Sequence, residues 1–319
     1  MTALDAVVRG LFDYAGMFPP ASLPLEEALR ASAAFPRSLR RPDMVAADLV
    51  CSVGDLAALE PALLAASGWE AGRPLRVCAL GPALAGLGAA APEEQRLAAS
   101  RAASWGGEAG AARVASYEVK VPLDALDRRA AQALAAVRSG VSGAVERLYL
   151  EPECPGPHWP GAVERVLAFF DALAPQERPG LKVRCSGPAA IDPESLARVV
   201  SGAVDRGLRL KATAGLHHPL VEARYGNAVG FLGLVLSVRL RRAYGPGFTT
   251  LAMAGCMTAS DPLQFSFDDG AAWTAFRLAP EQLGARAAFT IGSCSLHEPD
   301  EDLLRLFPRH VPRPASQTR

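Results

Sequence analysis

The chain reads as an α/β protein, a (β/α)8 TIM-like barrel with an insertion before its last strand. Three observations lead there. Short apolar runs alternate with Ala/Leu-rich amphipathic stretches, the pattern of βα units around a parallel sheet. Eight such runs are found, the number that closes a barrel. A length of 319 residues fits one barrel of about 250 residues with extensions.

The strands are expected near Leu11–Tyr14, Asp48–Ser52, Leu75–Ala79, Ala115–Val121, Arg147–Leu150, Leu181–Cys185, Leu208–Thr213 and Phe289–Gly292. Leu25, Ala28 and Leu29 follow Pro24 at helical spacing, and Leu56, Leu59 and Leu63 follow Asp55. Val163, Val166, Leu167, Phe170 and Leu173 form an inward stripe. Another stripe, Leu196, Val199, Val200 and Val204, follows Asp192-Pro193, where Asp suits the N-cap and Pro the first helical position. Pro219 to Tyr244 reads as one long helix containing Gly230 and Gly233. From 245 to 287, Pro246, Gly247, Gly255, Pro262 and Gly270 break the pattern, which places the insertion there. Residues 1–307 are expected to be one domain, and 308–319 a flexible tail rich in Arg, Pro, Ser and Gln.

Composition narrows the function. Formal charges cancel, so nothing marks a nucleic-acid or anionic-membrane partner. Six cysteines without a Cys-x-x-Cys pair point to reduced thiols in a cytoplasm. The longest apolar run, near Ala228–Val238, is too short to span a bilayer, and Asp5, Arg9 and Asp13 rule against a signal peptide. A small-molecule substrate is the expected partner, and a homo-oligomer is left open.

In such barrels the strand C-terminal ends and the loops after them face the active site. Leu210 through Pro219 is the most informative stretch, because a lysine in an apolar strand is costly to bury and two histidines follow it. Lys211 is the first candidate for the reacting amine, its pKa lowered by burial and by Arg209, Lys182 or Arg184. The competing view is an architectural salt bridge to Glu118 or Glu151. His217 and His218 are adjacent, so their side chains diverge and one of them is expected to be the proton shuttle. Glu118 or Glu151 would orient groups or accept a proton. Arg184 would hold an anionic end of the substrate. Lys182, Thr213, Gly215, Ser293, Ser295, Asp13 and Tyr14 complete the expected binding surface. Gly215 and the Gly292-Ser293-Cys294-Ser295 stretch occupy the two loops that often bind phosphate. No resident cofactor is expected. A divalent metal is the rival reading, with His217 or His218, Glu151, Cys185, Asp13 and the His297-Glu298 pair as donors.

Two resemblances follow from these residues. The chain resembles an uncharacterised group of bacterial proteins through Asp13 to Ala21, Lys211 to Pro219 (Lys-Ala-Thr-Ala-Gly-Leu-His-His-Pro), Gly230-Phe231-Leu232, Gly292 to Ser295 and Glu298-Pro299. That group carries His before the Gly-Phe-Leu and Asn after it, where this chain has Val229 and Gly233. More loosely, Lys182 and Lys211, with Ser186-Gly187 and Ala214-Gly215 beside them, look like the lysine pair of class I aldolases of the deoxyribose-phosphate type. That resemblance implies an imine on Lys182, with Lys211 as its partner.

Three functions are carried forward. The first is a cytoplasmic lyase or isomerase acting next to a carbonyl on a small anionic metabolite. The second is a metal-dependent hydrolase, lyase or isomerase on the same barrel. The third is a non-catalytic small-molecule-binding barrel, supported by the departures at Val229 and Gly233.

Overall fold

The computed structural model describes residues 2–69, 74–83, 91–104, 112–141, 145–284 and 289–311. Within them the principal strands are β1 (Phe12–Tyr14), β2 (Val45–Ala47), β3 (Leu49–Ser52), β4 (Leu75–Leu80), β5 (Ala112–Pro122), β6 (Arg147–Glu153), β7 (Gly180–Arg184), β8 (Leu210–Thr213) and β12 (Phe289–Ser293). They form one sheet in the order β2-β1-β12-β8-β7-β6-β5-β4-β3, with every neighbouring pair parallel. Only Asp48 separates β2 from β3, so they are two halves of one strand and the sheet closes into an eight-fold barrel. Each expected strand overlaps one of these eight.

Asp48 shows how the closure is held. Its main-chain N–H donates to Arg76 O at 2.8 Å. Its carboxylate accepts Arg76 Nε at 2.9 Å and Nη2 at 3.0 Å. A bidentate, charge-assisted pair offsets the cost of burying that carboxylate. Asp48→Asn keeps the shape and removes the charge, and is expected to cost about 1.5–3 kcal/mol in chemical denaturation. An unchanged unfolding midpoint would count against this role.

The helices are α1 (Ala3–Val8), α2 (Leu25–Ser38), α3 (Pro61–Ala66), α4 (Ala91–Ser104), α5 (Arg128–Val141), α6 (Trp159–Asp171), α7 (Pro193–Asp205), α8 (Phe231–Tyr244), α9 (Thr250–Met257) and α10 (His297–Leu306). In α6, Val163, Val166, Leu167 and Phe170 are buried as their spacing requires. Asp192 caps α7 by accepting from Ser195 N at 2.8 Å, with Pro193 in its first turn. Among the described residues, no helix is long and apolar enough to cross a membrane.

Three expectations are corrected. The long helix from Pro219 to Tyr244 is only α8. Asn227 pins the preceding segment as a loop, donating to Leu220 O and Val229 O and accepting from Glu222 N. The helix expected through Leu56, Leu59 and Leu63 is a 3-10 turn, Asp55–Ala58, then α3 starting at Pro61, because proline cannot continue a preceding turn. The chain also does not leave the body at Phe307. Pro308–His310 forms a turn, and Arg41 Nη2 donates to His310 O at 2.6 Å. Residues 312–319 of the expected tail lie outside the described residues.

The insertion carries α9 and a small antiparallel sheet of β9 (Phe265–Ser266), β10 (Ala271–Trp273) and β11 (Phe276–Leu278). Residues 285–287 of its expected range lie outside the described residues. Helix α9 packs on α8 at Gly233, where a Cβ would stand 2.0 Å from Cys256 O. Glycine is therefore needed for the two backbones to approach.

Candidate active site

The strand C-terminal ends surround a cavity of about 290 Å³. Lys211, Lys182 and Glu118 line it, and with Asp13 and Glu151 they form a buried charged cluster. The parallel register sets Lys182 beside Lys211 on β7 and β8. Glu118 bridges the two amines: Oε1 lies 2.6 Å from Lys211 Nζ and Oε2 lies 2.5 Å from Lys182 Nζ. Lys211 also donates to Asp13 Oδ2 and approaches Cys78 Sγ at 3.4 Å. Lys182 Nζ is 2.7 Å from Glu151 Oε2, and Arg184 Nε is 3.3 Å from Glu151 Oε1. Three carboxylates thus face three cations, which is what makes this burial tolerable.

Space for the lysines comes partly from Gly292 on β12. A Cβ there would meet Thr213 Oγ1 at 2.9 Å and lie 3.9 Å from Lys211 Cε.

The expected lowering of the Lys211 pKa is reversed. Burial acts against its charge, but the Asp13 and Glu118 carboxylates outweigh it and hold the amine well above its ordinary value. Lys182 is raised too, against burial, by Glu118 and Glu151. Glu118 and Glu151 are both lowered: burial opposes this, and Lys182 overcomes it, with Lys211 adding to the effect on Glu118. Arg209, expected to tune Lys211, precedes β8 and lines a separate cavity at the opposite, N-terminal ends of the strands.

These shifts define a pH window. The depressed carboxylates contribute stability present above their ordinary value of 4.5 and lost as pH falls through their lower folded values. The raised lysines contribute stability present below 10.5 and lost as pH rises through their higher folded values. Thermal unfolding followed against pH is expected to show no loss from this cluster between about pH 5 and 10. A melting temperature that falls steeply between pH 8 and pH 10 would contradict it.

The two histidines part as adjacent loop residues should. His217 lines the cavity. His218 turns away, stacked on Tyr225 with ring centroids 3.4 Å apart, its Nδ1 2.7 Å from Asp302 Oδ2. Burial, opposed by Glu298 and aided by His218, lowers the His217 pKa.

Thr213, Gly215 and Arg184 line the cavity, while Asp13 and Glu151 support it from behind the lysines. Ser293 is buried beside His217, and Ser295 accepts the Ser293 hydroxyl through its carbonyl. Tyr14 packs edge-on against Phe35 rather than lining the cavity, and burial, with Cys294 nearby, pushes its hydroxyl up to about 12.

The metal reading finds no support in this geometry. Among the described residues, no three His, Cys, Asp or Glu side chains converge as a metal site. Asp13 and Glu151 are engaged by lysines, and His297 is exposed beside Phe35. Val229 and Gly233 are not among the residues that line the cavity.

Sequence reasoning passed over Cys78 and gave Lys120 no place in the site, although Lys120 lines the cavity. A usable signal existed. The chain has 33 Lys plus Arg, and only Lys120, Lys182 and Lys211 are lysine. Arginine serves everywhere else, and all three lysines reach this one cavity.

No family model and no curated protein matches the chain. It is similar to the deoxyribose phosphate aldolase of Aeropyrum pernix, described as tetrameric, at 13% identity over 95% of this chain and 93% of that one, with a TM-score of 0.49. It is also similar to a provisionally assigned deoxyribose-phosphate aldolase of Toxoplasma gondii ME49. In its apo form that structure is 15% identical over 96% of this chain and 97% of that one, with a TM-score of 0.39. Likenesses this distant carry no statement about chemistry.

Proposed function

We propose that the protein is a lyase or isomerase acting beside the carbonyl of a small anionic metabolite, through an imine on Lys182. One observation supports this reading above others: two buried lysines, side by side in register, share one carboxylate at the floor of a cavity. An imine requires a free amine, and Glu118 lies where it can take the proton that Lys182 must lose. Lys211 is the more enclosed amine, 1% exposed against 4%, and is held by Asp13, Glu118 and Cys78. It is therefore assigned as the standing cation and Lys182 as the nucleophile, reversing the first expectation and agreeing with the class I aldolase resemblance.

The Lys182 nitrogen attacks the carbonyl carbon, and the carbonyl oxygen leaves as water. The resulting iminium draws in the electrons of the adjacent C–C or C–H bond. His217, largely neutral, takes the proton of that C–H bond or, for C–C cleavage, the proton of the hydroxyl that becomes the released carbonyl, and returns it to carbon. Water then hydrolyses the iminium to release the product and the free Lys182 amine. Arg184 and Lys120 face the substrate's anionic end.

The test is borohydride reduction in the presence of small hydroxyaldehydes and ketones, with peptide mapping. With three lysines in the chain, the adduct site is unambiguous. The expected result is a reduced adduct on the Lys182 peptide. Labelling confined to the N-terminal amine across the panel would overturn the proposal.

A further inference from the structure

Four segments singled out in the sequence meet at one sulfur that the proposed reaction does not use. Cys294 follows β12 and lines the cavity, its Sγ 3.7 Å from His217 Nε2. The other ring nitrogen, Nδ1, lies 3.2 Å from Ser293 Oγ and 3.3 Å from Glu298 Oε2. Ser293 Oγ donates its only proton to Ser295 O at 2.6 Å, so it can only accept from His217. A carboxylate at Glu298 likewise only accepts. Both neighbours therefore require the proton on Nδ1, which leaves Nε2 bare and facing the thiol. Burial, with Glu298 adding to it, raises the Cys294 pKa, and the Ala21 main-chain N–H opposes that rise only in part, so the free thiolate is scarce and a base at Sγ is what the thiol needs. Among the described residues, no other cysteine has an imidazole nitrogen within hydrogen-bond distance.

A base aimed at a thiol, with a third group orienting the base, is the arrangement of an activated nucleophile. We propose that Cys294 is a second nucleophile of this cavity, with His217 as its base and Glu298 and Ser293 as positioning residues, and that it captures aldehydes as hemithioacetals. In the step, the Sγ–C bond forms and the C=O π bond opens. The thiol proton passes through His217 to the carbonyl oxygen. Nothing is oxidised and nothing leaves, so the reverse step returns the aldehyde. The choice of an aldehyde rests on the lyase reading, since carbon–carbon cleavage next to a carbonyl releases one; the activation of the thiol does not. Capture at the wall would keep a released aldehyde inside the cavity, next to the lysine pair.

The test is the rate of Cys294 alkylation by iodoacetamide on the intact protein, mapped by mass and followed against pH. The groups that face His217 are Glu298 from α10, Cys294 and Ser293 at the end of β12, and His218 from its own loop; Tyr14 of β1 stands by Cys294. With His217 as base, the rate rises through an inflection below pH 6.5 and then levels through the neutral range. His217→Asn is expected to lower the neutral-pH rate about 10²-fold and to remove the inflection. Glu298→Gln alters a carboxylate that is 54% exposed and is expected to move the inflection downward, because Glu298 raises the His217 pKa. A wild-type rate that climbs tenfold per pH unit from 6 to 9 overturns the activation, as does an inflection unmoved in Glu298→Gln. A carbon NMR signal from ¹³C-labelled glycolaldehyde bound to wild type and absent in Cys294→Ala supports the hemithioacetal. Its absence from wild type overturns the aldehyde assignment. The alkylation profile needs no turnover and no imine, so it stands or falls apart from borohydride trapping at Lys182.

Discussion

Glu118→Leu is expected to cost about 3–5 kcal/mol of unfolding free energy, the range for breaking a buried ion pair from one side. The substitution removes the carboxylate that both ammoniums share. Lys211 keeps Asp13 and Lys182 keeps Glu151, so the fold is not stripped of pairing. What remains is one uncompensated positive charge deep in the barrel, with Arg184 already drawing on Glu151. Glu118→Gln should lose less, because an amide oxygen still accepts a hydrogen bond from an ammonium. The charge argument has a sharper consequence. Adding Lys211→Met to Glu118→Leu removes the excess cation, so the double variant should be more stable than the sum of the single losses predicts. Urea denaturation of the four proteins measures this coupling. A cycle that closes additively would mean that water already screens the cluster and that the ion pairs are worth little.

The barrel was legible because its signal is local. Eight apolar runs with intervening amphipathic stretches need no knowledge of which strand meets which. The site was legible only in part. The ionisable residues near the ends of β5, β6, β7 and β8 are visible as candidates in the sequence, and their side chains do gather at one cavity. Their pairing was not readable. Asp13 and Lys211 are 198 residues apart and meet because β12 lies between β1 and β8. That pairing inverts the expected direction of the Lys211 pKa. Arg209 is two residues from Lys211 in the chain, but β8 begins at Leu210, so strand alternation does not carry it to the face of Lys211. The divergence of His217 and His218 followed from adjacency alone. Which ring enters the cavity depended on Tyr225 and Asp302, neither of which a local pattern assigns. The overlong helix failed for a related reason: Asn227 competes for backbone groups through its side chain, which apolar periodicity does not register.

Separate removal of the two lysines should divide their roles. Lys182→Met is expected to abolish borohydride trapping and to lower turnover by about 10³-fold or more, since no other group there can form the imine. The variant should fold, because Glu118 keeps Lys211 and Glu151 keeps Arg184. Lys211→Met should instead retain trapping at Lys182 but slow it. The Lys182 pKa is raised by Glu118 and Glu151 against burial, and Lys211 limits that rise through like-charge repulsion, so removing Lys211 leaves Lys182 more firmly protonated. The rate of adduct formation should then reach its plateau at higher pH than in wild type. That displacement separates a tuning cation from a merely structural one, which would leave the pH profile in place. If the adduct maps to Lys211 in wild type and persists in Lys182→Met, the assignment of nucleophile and partner is reversed, and Asp13 becomes the carboxylate that must take the proton.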